Sequence, residues 1–315
     1  MAQEKPLISV IMAAYNVERF IGAAIESVLA QTYSNWELIV ANDASPDKVR
    51  EIVEGYAKRD GRIRLINLEK NSGQAIARNR AVEKASGEYL AILDADDLAL
   101  PNRFETQLAY FKAHPEVAIL GSAAIIIDEH GKKLSTKIKT LTNEEIRFSL
   151  LLQSQFIHSS VMMKKSAFDE LGGYRHEFVY AEDYDLWSRA RDKGFIMANI
   201  AEPLISYRIQ AQSVTMISKS QKIQAEHALR VNERNVSPFI SIARPDLERL
   251  VNLVNNVTLS SRDTLTARKD YKRLIDAYIE KGTRSDIELG FINILRRDKL
   301  AHFRRLAIKR LFARA

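Results

Sequence analysis

Strand-like and helix-like segments alternate along the first two-thirds of this 315-residue chain. Short apolar runs such as residues 7–14 and 37–41 are separated by segments whose apolar residues recur every three to four positions, the period of a helix. This alternation predicts an α/β fold with a mixed, mainly parallel sheet flanked by helices. Beyond residue 217 the pattern is helical, so we predict one domain over residues 1–217 and a helical C-terminal region over residues 218–315.

The residue content excludes several classes of protein. The chain has no cysteine, which excludes disulfides, thiolate metal sites and cysteine nucleophiles and permits a reducing cytosol. Residues 1–6 lack the apolar core of a signal peptide, and the longest nearly apolar stretch, residues 117–127, is shorter than the ~20 residues of a membrane-spanning helix. A soluble or peripheral protein is therefore expected.

The positive charge is confined to the C-terminal end. Residues 296–315 contain eight Lys or Arg and one acid, a net charge of +7 that equals the charge of the whole chain, so residues 1–295 are formally neutral. A neutral body argues against nucleic acid as a partner. Residues 299–311 have the pattern of a basic amphipathic helix. Two readings stay open: contact with an anionic membrane surface through residues 296–315, or a terminal helix packed on the domain.

Acidic residues follow the ends of several predicted strands: Asp43, the pair Asp94 and Asp96, and the pair Glu182 and Asp183. In an open parallel sheet the ligand crevice lies outside the carboxyl ends of the strands, so these carboxylates can converge. Like charges this close together raise one another's pKa unless a cation lies among them, and hard oxygen ligands suit Mg²⁺ or Mn²⁺. The alternative for the Asp94 region is a solvated turn with an aspartate cap for the next helix.

Six ordered segments carry a resemblance to a known family. In order and spacing the chain resembles glycosyltransferase family 2, which has the Rossmann-like GT-A fold, over about residues 6–215. The segments are Ile8–Asn16, Ser27–Tyr33, Glu37–Ser45, Asn71–Asn79, Gly87–Asp97 and Glu182–Trp187. The resemblance implies that residues 1–217 are the catalytic domain of an inverting enzyme. Such an enzyme moves one hexosyl or N-acetylhexosaminyl group from a nucleotide-diphosphate sugar, here a UDP-sugar, to a glycan or lipid-linked acceptor hydroxyl in the synthesis of cell-surface polysaccharide or glycoconjugate.

The resemblance also implies a set of donor-binding residues: Ala13, Tyr15, Asp43, Arg78, Asp94 and Ala95. Asp43 is expected to accept a hydrogen bond from the base, and Arg78 to lie near the base or the diphosphate. Asp96 is expected to be the direct ligand of Mn²⁺ or Mg²⁺, with Asp94 facing the ribose or the metal. The alternatives are a helix cap near Ser45 for Asp43, a surface position for Arg78, and a cap of the following helix for Asp97.

On the acceptor side the resemblance points to Asp183 as the general base. Glu182 is expected to orient the acceptor or assist the base, and Asp185 to cap or salt-bridge its helix. Trp187 and His158 are acceptor-binding candidates, with core packing as the alternative for Trp187 and a structural role for His158. Many relatives have histidine at the position of Gln210, so the remaining metal ligands stay open.

Two other features limit the function. The Q-x-x-R-W motif of processive relatives is missing, so one sugar per encounter is expected. A sugar-phosphate nucleotidyltransferase is the alternative enzyme, but its glycine-rich N-terminal phosphate loop is replaced here by Ala13-Ala14-Tyr15-Asn16. We expect a cytoplasmic protein, which would be peripheral on the inner face of the plasma membrane if residues 296–315 contact lipid.

Overall fold

The computed structural model describes residues 5–210 and 218–281, and these divide into two compact units. The first comprises the described residues up to Leu141 together with Phe156–Gln224, and the second comprises Thr142–Gln155 and the described residues from Ala225 onwards. The division differs from the predicted domain boundary in two respects, the first being that residues 218–224 cluster with the first unit. Residues 142–155 cluster with the helical unit because Phe148, Leu151 and Leu152 belong to its hydrophobic core. The assignment of catalysis to residues 1–217 stays a prediction.

The first unit contains a mixed sheet. Its strands are β1 (Ile8–Ala14), β2 (Trp36–Asn42), β3 (Ile63–Asn67), β4 (Tyr89–Ile92), β5 (Leu98–Ala99), β6 (Val117–Ile127), β7 (Lys133–Lys137), β8 (Met162–Lys164) and β9 (Ile196–Arg208). Its helices are α1 (Glu18–Leu29), α2 (Val49–Ala57), α3 (Gln74–Val82), α4 (Arg103–Ala113), α6 (Lys165–Leu171) and α7 (Glu182–Lys193). A 3₁₀ turn covers His158–Ser160.

Within the described residues the nine strands follow the order β3-β2-β1-β4-β8-β6-β9-β5, and β7 pairs with the outer part of β6. The strands β3, β2, β1 and β4 are parallel, as are β6 and β9. The short strand β8 is antiparallel to both of its neighbours and joins the two parallel parts. The carboxyl ends of β1, β2 and β4 therefore lie side by side.

Both faces of the central strands are covered. Val10 and Met12 of β1 pack in one cluster with apolar residues of α1, α2 and α4, whereas Ile11 points to the opposite face and is also fully buried. This two-sided burial explains why the central strands are almost continuously apolar in the sequence.

The second unit is helical. It contains α5 (Asn143–Ser149), the part of α8 (Ser218–Val236) from Ala225 onwards, α9 (Arg244–Val254) and α10 (Ser261–Glu280). Thr142 and Glu145 form a capping box at the start of α5. The predicted basic helix over residues 299–311 lies outside the described residues. None of the helices in the described ranges is both long and apolar enough to cross a bilayer.

The segment Ser45-Pro46-Asp47 predicts a helix with Ser45 as its N-cap and a proline in its first turn, and this prediction is wrong. Ser45 does not cap the helix after β2, because α2 begins at Val49 with Lys48 as its N-cap residue. The Ser45 hydroxyl instead accepts a hydrogen bond from the Asn16 N–H at 2.7 Å and donates one to Asp47 at 2.6 Å. These bonds connect the loops that follow β1 and β2 at the carboxyl edge of the sheet.

Candidate active site

A single buried guanidinium connects two carboxylates that are far apart in the sequence. Arg78 lies on α3 and is 5% exposed. It donates from Nη2 to Asp94 Oδ1 at 2.7 Å and from Nη1 to Glu182 Oε1 at 2.8 Å. Burial alone would lower the pKa of Arg78, but the charges of Asp94 and Glu182 raise it, so the side chain is held as a cation. The surface position that was open for Arg78 is excluded.

Asp94 follows β4 and receives further support from the 3₁₀ turn. Its Oδ1 lies 3.6 Å from His158 Nδ1, and its N–H donates to Ser159 Oγ at 3.1 Å. Burial would raise the pKa of Asp94, but Arg78 and His158 outweigh it and hold that pKa well below its usual value. The other ring nitrogen of His158 lies 2.9 Å from the Tyr174 hydroxyl. His158 is therefore part of the network around Asp94.

Asp96 and Asp97 are bound by the end of β9 and the residues after it. Gln210 Nε2 donates to Asp96 Oδ2 at 2.7 Å, and Arg208 Nε donates to the Asp96 carbonyl oxygen at 2.8 Å. The Arg208 N–H donates to Asp97 Oδ1 at 2.7 Å. Asp97 does not cap the following helix, because it is buried and α4 begins only at Arg103.

The turn Asp94–Asp97, called the acidic turn, carries more negative charge than the positively charged side chains around it balance. Burial and the charge of Asp94 raise the pKa of Asp96 to about 6. Burial, together with Asp96 and Asp94, raises the pKa of Asp97 well above its usual value. Arg103 lies fully buried behind this turn, where burial lowers its pKa to about 9 against the opposing effect of Asp97 and Asp94. A dication among these carboxylates would lower the cost of their charge.

The fit of a metal ion can be judged from the oxygens present. Asp94 and Asp96 offer hard carboxylate oxygens of the kind that Mn²⁺ and Mg²⁺ prefer. No group of three or more His, Asp or Glu side chains in residues 5–210 and 218–281 is arranged to hold a metal ion. The residues therefore fit an ion that takes one or two protein carboxylates and completes its shell with substrate phosphates and water.

Asp43 orders the loop that leads into α3. It is 3% exposed, and its two carboxylate oxygens each accept a hydrogen bond at 2.8 Å, one from the Ser72 N–H and one from the Gly73 N–H. Gly73 has a φ of +88°, a conformation that favours glycine. Asp43 does not act as a cap of α2. Its predicted contact with the base stays a prediction.

The other predicted donor residues differ in their exposure. Ala13 is half-buried at the end of β1, and Tyr15, which follows the strand, is 47% exposed. Ala95 is 3% exposed and its methyl group packs in the main hydrophobic cluster. Its side chain is therefore not available to the donor.

The first turn of α7 contains the predicted acceptor-side acids. Glu182 is buried and also accepts a hydrogen bond from Gln74 Nε2 at 2.5 Å, so both of its described partners come from α3. This position suits holding α7 against α3. Asp183, the next residue, is half-buried, and its negative charge is close enough to Lys139 to raise the pKa of that lysine. Burial and Lys137 nevertheless lower the pKa of Lys139 to about 8.

The structure decides between the alternatives for Asp185 and Trp187, two further residues of α7. Asp185 is fully buried and forms the predicted salt bridge within its helix, to Arg189 Nε at 2.7 Å. Trp187 is 0% exposed, and its ring centroid lies 5.2 Å from that of Phe156. A ring inside the core cannot serve as a platform for a sugar, so the core-packing reading of Trp187 holds.

Three buried arginines organise the acidic turn, and only Arg78 was predicted from the sequence. Arg208 lies two residues before Gln210, but nothing in the sequence indicates its own contacts. Arg103 donates from Nη2 to the carbonyl oxygens of Ile92 and Val161, at 2.9 and 3.1 Å. The burial of Arg103 and Arg208 could not be predicted from the neighbouring sequence, because an arginine in a helix or strand is usually exposed.

The chain matches known proteins over most of its length. Residues 9–172 match the family described as Glycosyl transferase family 2. An uncharacterized glycosyltransferase of Methanocaldococcus jannaschii is 34% identical over 240 residues, which cover 75% of this chain and 82% of the relative. An Escherichia coli protein, UDP-Glc:alpha-D-GlcNAc-diphosphoundecaprenol beta-1,3-glucosyltransferase, is 34% identical over 211 residues, which cover 66% of this chain and 79% of the relative.

Solved structures show the same fold. TarS of S. aureus, residues 1–349 in complex with UDP, aligns with a TM-score of 0.57 at 18% identity and covers 88% of this chain and 93% of that one. A mannosyltransferase of Pyrobaculum calidifontis in complex with GDP-Man and Mn²⁺ aligns with a TM-score of 0.56 at 18% identity, covering 99% and 89%. The predicted GT-A fold is confirmed.

Replacement of Arg78 should destabilise the chain strongly. We expect Arg78→Gln to lower the free energy of unfolding by about 3 kcal/mol, because Glu182 would be left buried without its cationic partner. Arg80→Gln is the matched control on the same helix, since Arg80 forms an exposed pair with Glu83 and its loss should cost less than about 0.5 kcal/mol. Denaturant unfolding of both variants measures the difference. Equal losses would contradict a central role for Arg78.

The carboxylate of Asp96 should reduce stability in the absence of metal. Its pKa in the folded state, about 6, exceeds the ordinary 3.8, so wild-type stability falls as the pH rises through that interval. Asp96→Asn removes the charge, and we expect it to be more stable than wild type by about 2 kcal/mol near pH 7.5, with the gain vanishing near pH 4.

Thermal unfolding in a chelating buffer tests this pH dependence. Asp60→Asn is the control: Arg62 lowers the pKa of half-buried Asp60, so that variant should become less stable than wild type as the pH rises. A gain in stability for Asp96→Asn that does not change with pH would contradict the raised pKa of Asp96.

Proposed function

The chain belongs to glycosyl transferase family 2, and from this we propose that it transfers one sugar from a nucleotide-diphosphate donor to the hydroxyl group of a glycan or lipid-linked acceptor, with inversion at the anomeric carbon. The observation that carries the proposal is the Arg78 bridge. It holds Asp94, at the end of β4, and Glu182, at the start of α7, on either side of one guanidinium. The bridge thus supports one site at the carboxyl edge of the sheet, with the donor near Asp94 and the acceptor near Asp183, the residue after Glu182.

The donor in this proposal is a UDP-sugar. Its base lies near Asp43 and the end of β1, at Ala13 and exposed Tyr15. Its ribose lies nearer Asp94, and its diphosphate lies near Asp96. The names of two similar proteins support a uridine nucleotide, since one is a UDP-Glc-dependent enzyme and the other was solved with UDP.

Asp96, with Asp94, would hold Mn²⁺ or Mg²⁺ together with the donor phosphates. When bound, such an ion supplies positive charge for the departing nucleoside diphosphate. The raised pKa of Asp96, caused by burial and by Asp94, supports this site because it reflects negative charge without a nearby balance. A structural neighbour bound to GDP-Man and Mn²⁺ supports it independently. Gln210 orients the Asp96 carboxylate through its hydrogen bond at 2.7 Å.

Asp183 is the proposed general base. It removes the proton from the acceptor hydroxyl as that oxygen attacks the anomeric carbon from the face opposite the diphosphate. Asp183 suits this role better than Glu182, because Glu182 is buried and bound to Gln74 and Arg78. His158 has a positioning role here, since it contacts Asp94 and Tyr174.

The biological setting in this proposal is cell-surface polysaccharide or glycoconjugate synthesis on the cytoplasmic side of the membrane. An Erwinia amylovora relative named for amylovoran biosynthesis and an Escherichia coli relative named for a diphosphoundecaprenol-linked acceptor support it. The transferred group is a hexose or an N-acetylhexosamine.

Asp96→Ala should lose the metal-dependent part of donor binding. We expect wild type to bind UDP more tightly with Mn²⁺ than in chelator by about tenfold or more, and the variant to show no such gain, because a carboxylate ligand is missing. Calorimetric titration measures both. Asp169→Ala, an exposed acid on α6, is the control and should keep the full gain. The same gain in Asp96→Ala would remove Asp96 from the metal site.

Asp183→Asn should separate binding from transfer. We expect unchanged UDP affinity with Mn²⁺ and a transfer rate lower by roughly 10²- to 10⁴-fold, the range for loss of a general base. The control is Asp192→Asn, an exposed acid near the end of the same helix. Transfer is followed as UDP release in the presence of a panel of glycosyl diphosphate-lipid acceptors. Near-normal turnover in Asp183→Asn would eliminate it as the base.

A further inference from the structure

The β6–β7 hairpin presents an unusual outer surface. Every residue of β7 is exposed, and among the exposed side chains Leu134 and Ile138 are large and apolar, at 55% and 58% exposure. Lys132, Lys133 and Lys137 are exposed close by in the chain, and Lys137 projects from the side of β7 opposite to Leu134 and Ile138, because side chains alternate along a strand. No acidic residue occurs between Glu129 and Glu144. We call the five residues Lys132, Lys133, Leu134, Lys137 and Ile138 the hairpin face.

Lysines on an edge strand commonly prevent pairing with another strand, so they have a protective explanation. That explanation does not cover Leu134 and Ile138, because a purely protective edge has no use for two large apolar side chains in water. Pairing with β7 of a second copy is also disfavoured, since it would bring two sets of lysines together. Apolar side chains on an exposed edge strand, flanked in the chain by cations, match the chemistry of an anionic bilayer surface that the hairpin enters edge-on, with its apolar interior and negative headgroups.

The hairpin is connected to the acidic turn through the side chain of Arg208. Arg208 Nη1 donates to the carbonyl oxygens of Asp128 and Glu129, both at 3.1 Å, at the start of the hairpin turn. The same guanidinium donates from Nε to the carbonyl oxygen of Asp96. Following β7, Lys139 lies within electrostatic range of Asp183. A surface bound at the hairpin would therefore lie near both Asp96 and Asp183.

We propose that the hairpin face is the surface through which this chain docks on a bilayer rich in anionic lipid, with Leu134 and Ile138 entering the interfacial region and the three lysines contacting the headgroups. The inference goes beyond the proposed function, because it concerns adhesion to lipid and holds for any acceptor. It is also separate from the predicted membrane contact of residues 296–315.

Vesicle co-sedimentation of the full chain tests the lysines. The vesicles contain equal amounts of phosphatidylglycerol and phosphatidylcholine, and no donor is present. We expect the variant with Lys132→Ser, Lys133→Ser and Lys137→Ser to bind these vesicles about tenfold more weakly than wild type, or weaker still. The matched control, Lys58→Ser with Lys84→Ser and Lys112→Ser, removes the same charge from exposed positions elsewhere and should bind like wild type.

A fluorescence experiment tests contact at the hairpin itself. The two native tryptophans, Trp36 and Trp187, are buried, so Leu134→Trp adds an exposed reporter. Its emission should shift to shorter wavelength with the phosphatidylglycerol vesicles and not with phosphatidylcholine alone. Binding of the lysine variant equal to that of the control, or an unshifted emission, would overturn the proposal. UDP binding with Mn²⁺ should be unchanged in all these variants, which separates failure of docking from failure of the proposed enzyme function.

Discussion

The site depends on the pairing of one buried cation with two carboxylates from distant parts of the chain. Arg78 is held by half-buried Asp94 and by buried Glu182. Removing Arg78 would leave the buried Glu182 carboxylate without its cationic partner, which costs far more than the loss of an exposed pair. The bridge therefore stabilises the fold and, at the same time, fixes the distance between the end of β4 and the start of α7.

The acidic turn illustrates how a protein keeps negative charge available for a ligand. Arg78 compensates Asp94, but Asp96 and Asp97 receive mostly neutral donors, from Gln210 and the Arg208 backbone. Buried Arg103 adds positive charge from behind without a direct bond to either. The turn is thus stable enough to fold and still undercompensated, which is the electrostatic condition for binding a cation.

Much of the fold could be predicted from the sequence, because buried parallel strands and amphipathic helices have distinct local patterns. The closeness of Asp43 and Asp94 could be predicted from topology, since they follow strands whose ends share one edge. Glu182 was also expected to follow a strand, which is wrong: it begins α7, and α6 is the element before it. The common partner of Asp94 and Glu182, Arg78, could not be predicted, because nothing in the sequence around it shows that it is buried. Ser45 was misplaced for a related reason, since a serine before proline looks like a cap while its actual partner, Asn16, lies 29 positions away. Arg103 and Arg208 were missed because their roles exist only in the folded chain.

The hydrogen bonds of Asp43 have a consequence for how such a protein can change. The same carboxylate that is expected at the base also closes the Ser72–Gly73 turn, from which the helix bearing Arg78 begins. A substitution at Asp43 would therefore disturb the turn and the entry to α3 together with any contact to the base. A change in nucleotide preference is easier to reach by substitution at neighbouring positions such as Tyr15, which is exposed and does not hold a turn in place. Substitution of Asp43 therefore has a structural cost, and we expect the donor pocket to vary at the residues around it.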